Sequence, residues 1–107
     1  MEIIKSKDNS KLKRYALLHD RKKASKEGIV FIEGIRLCED ALISGVAPIS
    51  IACTENRYDV VRNWLIKYDI KPEINVFSDE CFQKLASTVN PQGVAMIVKE
   101  PEIKGDI

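Results

Sequence analysis

Three times in this chain a short run rich in β-branched residues is followed by a segment whose apolar side chains recur at helical spacing, and a fourth such run closes the pattern. Ile29-Val30-Phe31-Ile32, Ile49-Ser50-Ile51-Ala52-Cys53, Ile74 to Phe77 and Gly93 to Val98 read as strands. Between them, Ile35, Cys38, Ala41 and Leu42 keep a helical period until Gly45. Val60, Val61, Trp64, Leu65 and Tyr68 keep another until Pro72, with Trp64 expected in the core. Ser78 stands at an N-cap position before Asp79 and Glu80, whose charge suits the positive end of a helix, and Phe82, Leu85 and Ala86 then face inward. Strands alternating with helices imply crossover connections, so the expected fold is α/β. It is a three-layer α/β/α sandwich with a mostly parallel sheet over residues 29–98. The unbroken apolar run Ile29 to Ile32 is of the kind buried on both faces and predicts a central strand.

A chain of 107 residues, 45% hydrophobic and 31% charged, builds one core. At this size roughly two-thirds of the unfolded surface is buried on folding, so no disulfide or metal staple is required. The apolar runs fall far short of the ~20 residues a membrane span needs. Met1-Glu2-Ile3-Ile4-Lys5 lacks the apolar stretch of a secretory signal. A cytoplasmic protein without a membrane partner is expected. Cys38, Cys53 and Cys81 are odd in number, have no paired spacing and lie in apolar stretches, and His19 is the only histidine. They read as buried thiols, not as metal ligands or disulfides.

Charge is divided unevenly. Residues 1–26 hold nine Lys and Arg against Glu2, Asp8 and Asp20, a net +6, whereas the other 81 residues hold eight basic and thirteen acidic side chains, a net −5. From Asp8 or Ser10 as N-cap, Leu12, Tyr15, Ala16 and His19 recur at helical spacing and predict a helix over 8–20, with Lys11, Lys13 and Arg14 on its outer face. Residues 21–28 read as a basic loop. Such a cluster attracts polyanions through counterion release, although a lysine-rich helix can equally be a solvated face.

No Gly-rich turn of a dinucleotide fold and no phosphate-binding loop is present, and the one strand-to-helix glycine turn, Glu33-Gly34, makes no phosphate cradle. Glu39-Asp40 and Asp79-Glu80 are sequence neighbours, which on a helix point about 100° apart and do not share a proton. No catalysis is expected from this chain alone, and no catalytic, cofactor-binding or metal-binding residue is assigned. Two segments stand out from scaffold: the basic stretch Lys5 to Lys26, with Asn9 before the helix, and Asn90-Pro91-Gln92-Gly93 before the last strand. In the second, Gln92 either contacts a ligand or satisfies backbone groups of a turn.

These segments together resemble the N-terminal substrate-binding domain of the SpoU/TrmH-type RNA ribose 2'-O-methyltransferases. The resemblance is carried by Ile4, Ser6, Asn9, Lys11 and Leu12, by Arg21-Lys22-Lys23 and by Phe31-Ile32-Glu33-Gly34-Ile35-Arg36. Glu39, Ala41 and Leu42, and Pro91-Gln92-Gly93-Val94-Ala95, complete it. It spans Ile4 to about Val98. Where the family places an arginine close to the glycine before the first strand, this chain has Ala24 and Ser25, flanked by Lys22, Lys23 and Lys26.

The resemblance implies a fold like that of the kink-turn-binding ribosomal proteins and a role in gripping structured RNA, ribosomal RNA above all. A knotted methyltransferase domain is then expected beyond Ile107, holding S-adenosylmethionine and mediating homodimerisation. Residues 1–107 would be a single RNA-binding domain: helix 8–20, basic loop 21–28, sandwich 29–98 and polar tail 99–107. The expected RNA contacts are Lys11, Arg14, Arg21, Lys22, Lys23 and Lys26 to phosphates, and Asn9, Arg36 and Gln92 to base or ribose. Arg36 is alternatively an ion-pair partner of Glu39 or Asp40. A free-standing RNA-binding protein of ribosomal type and a protein-interaction module are the other readings.

Overall fold

The computed structural model describes residues 2–86 and 91–100, so Asn90 of the Pro-Gln-Gly turn and residues 101–107 of the expected tail lie outside the described residues. The chain runs β1 (Ile3–Ile4), α1 (Ser10–Leu18), α2 (Arg21–Lys26), β2 (Ile29–Glu33), α3 (Ile35–Ile43) and β3 (Pro48–Thr54). A 3-10 turn (Glu55–Arg57), α4 (Tyr58–Lys67), β4 (Glu73–Phe77), α5 (Asp79–Leu85) and β5 (Val94–Lys99) follow.

The five strands form one sheet in the order β1-β4-β3-β5-β2. β1, β4 and β3 pair in parallel, and β5 is antiparallel to both β3 and β2. Four strands therefore point the same way and only β5 is reversed, which gives the mostly parallel sheet that the strand–helix alternation implies. Period-two alternation sends Ala52, Ala95 and Ile97 into a core with Leu12, Tyr15, Leu18, Phe82 and Leu85 of α1 and α5. Ile51, Cys53, Val94 and Met96 face the opposite way, toward Cys38 and Leu42 of α3 and Val61 and Trp64 of α4. The three layers are thus helices, sheet and helices. All three cysteines are buried, as is Trp64.

Several sequence expectations need correction. The run Ile29 to Ile32 is an edge strand, not a central one. It reads as continuous apolar because helices cover both of its faces, a property independent of how many strands lie beside it. In α1 the inward stripe is Leu12, Tyr15 and Leu18, while Ala16 is exposed and His19 caps the C-terminus in solvent. Residues 21–28 are not a loop throughout, since Arg21–Lys26 coil into a helix started by Asp20, whose carboxylate accepts from the N–H groups of Lys22 (2.9 Å) and Lys23 (3.4 Å). β1, which the sequence reading lacks, adds two residues to the far edge of the sheet.

Candidate nucleic-acid interface

The N-cap of α1 is Asn9, whose Oδ1 accepts from the backbone N–H of Lys11 (2.8 Å) and Leu12 (3.3 Å). That oxygen belongs to the helix start. The exposed face beyond it carries Lys11, Lys13 and Arg14, but two of the three meet carboxylates. Lys11 Nζ lies 3.5 Å from Glu73 Oε1, and Arg14 Nη2 lies 3.2 Å from Glu27 Oε1. Glu73 is in turn held by the side-chain amide of Asn75 (3.0 Å), and this hydrogen bond, with Lys11, keeps its carboxyl below the usual carboxylate range.

Helix α2 differs. Arg21, Lys22, Lys23 and Lys26 are all exposed, and none has an ion-pair partner among the described residues. A six-residue helix with only Ala24 buried displays them within less than two turns. Arg21 sits at the margin of a cleft of about 850 Å³ whose walls include Leu18, Phe31, Leu37 and Gln92.

The turn from β2 into α3 forms the other side of this cleft. Gly34 lies at φ 105° and has no side chain with which to cap α3, and Gln92 supplies the missing acceptor: its Oε1 takes the N–H of Ile35 at 2.7 Å. The Gly34 N–H bonds the carbonyl of Val94 (2.9 Å), and the Thr54 N–H bonds that of Gly93 (3.0 Å). Gly93, at φ 82°, passes so close to Thr54 and Arg57 that an added Cβ would lie 2.7 Å from Thr54 Oγ1. Arg57 Nε donates to the Gln92 carbonyl at 3.1 Å. The Phe-x-Glu-Gly and Pro-Gln-Gly segments, far apart in sequence, are therefore one locked turn, and the oxygen of Gln92 is used within it. Arg36, one residue beyond that cap, is exposed. Glu39 accepts from Tyr68 Oη (2.8 Å) and pairs with Lys67 (3.6 Å), and among the described residues Arg36 forms an ion pair with neither Glu39 nor Asp40.

Of the residues expected to contact RNA, Arg21 and Gln92 both line the cleft, the lysines of α2 flank Arg21, and Arg36 lies in the first turn of α3. Asn9 caps α1 and Lys11 and Arg14 lie on it, and each has a partner: the N–H groups of Lys11 and Leu12, Glu73 and Glu27 respectively. Arg57 escaped the sequence reading. A lone arginine in a polar turn has no periodic or motif signal, and only the fold reveals that Gln92 fixes its guanidinium. Burial, with Glu33 nearby, pushes the Cys38 thiol up to about 12, and burial alone does the same to Cys53, so both are protonated near neutrality and are poor nucleophiles.

Solved structures share this architecture. A structure of an RNA 2'-O ribose methyltransferase superposes with a TM-score of 0.79 at 24% identity, covering 99% of this chain and 40% of that one. The rRNA methyltransferase of Sinorhizobium meliloti gives 0.76 at 18% identity, over 95% of this chain and 38% of its own. At such identities these likenesses define the fold class. Sequence then defines the family: residues 9–96 match the MRM3-like substrate binding domain, and the chain belongs to that family. It is also 31% identical to the 23S rRNA (guanosine(2553)-2'-O)-methyltransferase RlmP of Bacillus subtilis, over 97% of this chain and 40% of that protein. The chain thus spans about two-fifths of the relatives it matches.

Proposed function

We propose that this chain is the RNA-recognition domain of a ribosomal RNA ribose 2'-O-methyltransferase, gripping structured RNA and presenting it to a methyltransferase domain outside residues 1–107. The observation that carries this reading is the set of four exposed cations on α2, without carboxylate partners among the described residues, beside a cleft in a domain of this family. Phosphate contacts position a nucleic acid without reading its sequence, and unpaired lysines and arginines supply them without first breaking an ion pair. Arg36 and the amide nitrogen of Gln92 would add ribose or base contacts. S-adenosylmethionine would bind the other domain, to which we also assign homodimerisation, and the protein would act in the cytoplasm.

The test is a titration of the chain, over a series of salt concentrations, against ribosomal RNA fragments and duplex DNA. Binding that prefers structured RNA and has a steep salt dependence is expected. Indifference between RNA and DNA, or no binding at low salt, would refute the reading and return the basic helices to the role of a solvated face.

A further inference from the structure

The cleft beside α2 is floored by a sheet edge with unspent hydrogen-bonding capacity. β2 pairs with β5 in the register Val30↔Val98 and Ile32↔Met96, the Gly28 carbonyl accepts from Glu100 N–H (2.8 Å), and Gly34 N–H donates to Val94 O (2.9 Å). Alternate residues of an antiparallel pair turn both backbone groups toward the partner. Gly28, Val30, Ile32 and Gly34 therefore face β5, and Ile29 and Phe31 turn their N–H and C=O outward. Neither has another hydrogen-bond partner among the described residues. Around this edge the walls are mainly apolar, with Leu18, Ala24, Phe31 and the 61% exposed Leu37, and Glu33 and Glu100 also line them. The Phe31 ring is steadied edge-on by Tyr15 (6.5 Å) and His19 (5.9 Å).

Resting on the RNA-binding reading above, we propose that this cleft receives an unpaired base of the bound RNA. The backbone of one extended residue offers a donor and an acceptor pointing the same way. Every nucleobase carries an acceptor beside a donor on its Watson–Crick edge, so the Phe31 N–H and C=O can bond any of the four. The apolar walls cover the ring faces, and Arg21 at the margin meets the attached phosphate, with Lys22, Lys23 and Lys26 continuing along α2 to its neighbours. Such a site discriminates unpaired from paired RNA without discriminating sequence. A sheet edge also accepts an extended peptide, but four adjacent free cations favour the polyanion.

The experiment uses the 107-residue chain with two RNAs: a hairpin with about four unpaired loop nucleotides, and a fully paired duplex of the same stem. The hairpin is expected to bind roughly tenfold more tightly, the scale of sequestering one base, and to move the amide resonances of Ile29 and Phe31, which the duplex leaves in place. Ser25→Trp with Leu37→Trp, both at exposed positions, fills the cleft. That variant should bind hairpin and duplex equally, with an unchanged salt dependence. Equal binding of the two RNAs by the unaltered chain, or a hairpin preference that survives the tryptophans, overturns the proposal while leaving RNA recognition intact. Failure of the unaltered chain to bind either RNA overturns both. Movement of the Ile29 and Phe31 amides by a Thr-Val repeat peptide but not by the hairpin overturns it in favour of strand addition.

Discussion

Helix α1 buries Leu12, Tyr15 and Leu18, at roughly 1.5–3 kcal/mol each, whereas α2, which follows at once, buries only Ala24. Tyr15 further ties α1 to the sheet, its hydroxyl donating to Ser50 Oγ (2.8 Å) and accepting from Asn75 Nδ2 (3.1 Å). The contrast continues at the surface, where α1 has two of its cations in ion pairs and α2 has none among the described residues. Positive charge on a sequence is therefore a poor guide to positive charge available to a ligand. The anchored helix uses much of its charge internally, and the weakly anchored one keeps its charge for a partner.

Reversing charge on each helix in turn tests this most severely. Arg21, Lys22 and Lys23 changed together to Glu should lower RNA affinity on the order of a hundredfold at low salt, and flatten the log K against log salt slope by roughly 0.7–0.9 per lost contact. Lys11→Glu with Arg14→Glu should cost under about tenfold. Equal losses would erase the distinction between the helices.

The anchor comes next. Tyr15→Phe leaves Ser50 and Asn75 without their buried partner and should cost about 1–3 kcal/mol of stability in urea unfolding. RNA affinity of the folded variant should be unchanged, since α2 makes the contact. Making α1 resemble α2 is the converse operation. Glu27→Gln with Glu73→Gln frees Arg14 and Lys11, and a two- to threefold gain in RNA affinity is expected, within the ~0–1 kcal/mol typical of exposed ion pairs.

The smallest effect is that of pH. The folded-state pKa of Glu73 is depressed below its usual 4.5, first by the Asn75 amide and then by Lys11. Its contribution to stability is therefore complete above that usual value and is lost as pH falls through the lower folded value. Urea midpoints followed from about pH 6 to about pH 3 should decline slightly more for the unaltered chain than for Glu73→Gln.

The sandwich, its last four strands and the helices between them were legible because long apolar periods report which faces are covered. What escaped was whatever lacks a period. Ile3–Ile4 is too short to show one, and Arg-Lys-Lys-Ala-Ser-Lys has a single apolar residue, so its helicity rests on the Asp20 cap and the docking of Ala24. The position of β2 at the edge was invisible for a different reason, since face burial carries no information about lateral neighbours. At the site, residue types pointed to the basic surface and to Gln92, but the division into paired and unpaired cations depends on Glu27 and Glu73, which approach only through the fold. The same holds for Gln92 and Ile35, 57 positions apart.

The reversed strand β5 also imposes an order of assembly. Among the described residues β2 has no sheet neighbour except β5, and β5 follows every other described element in the chain. Until residues 94–99 insert between β3 and β2, the strand beneath the cleft lacks its lateral partner and α3 lacks its Gln92 cap. A nascent chain halted before β5 thus carries the cations of α2 without the platform that directs them.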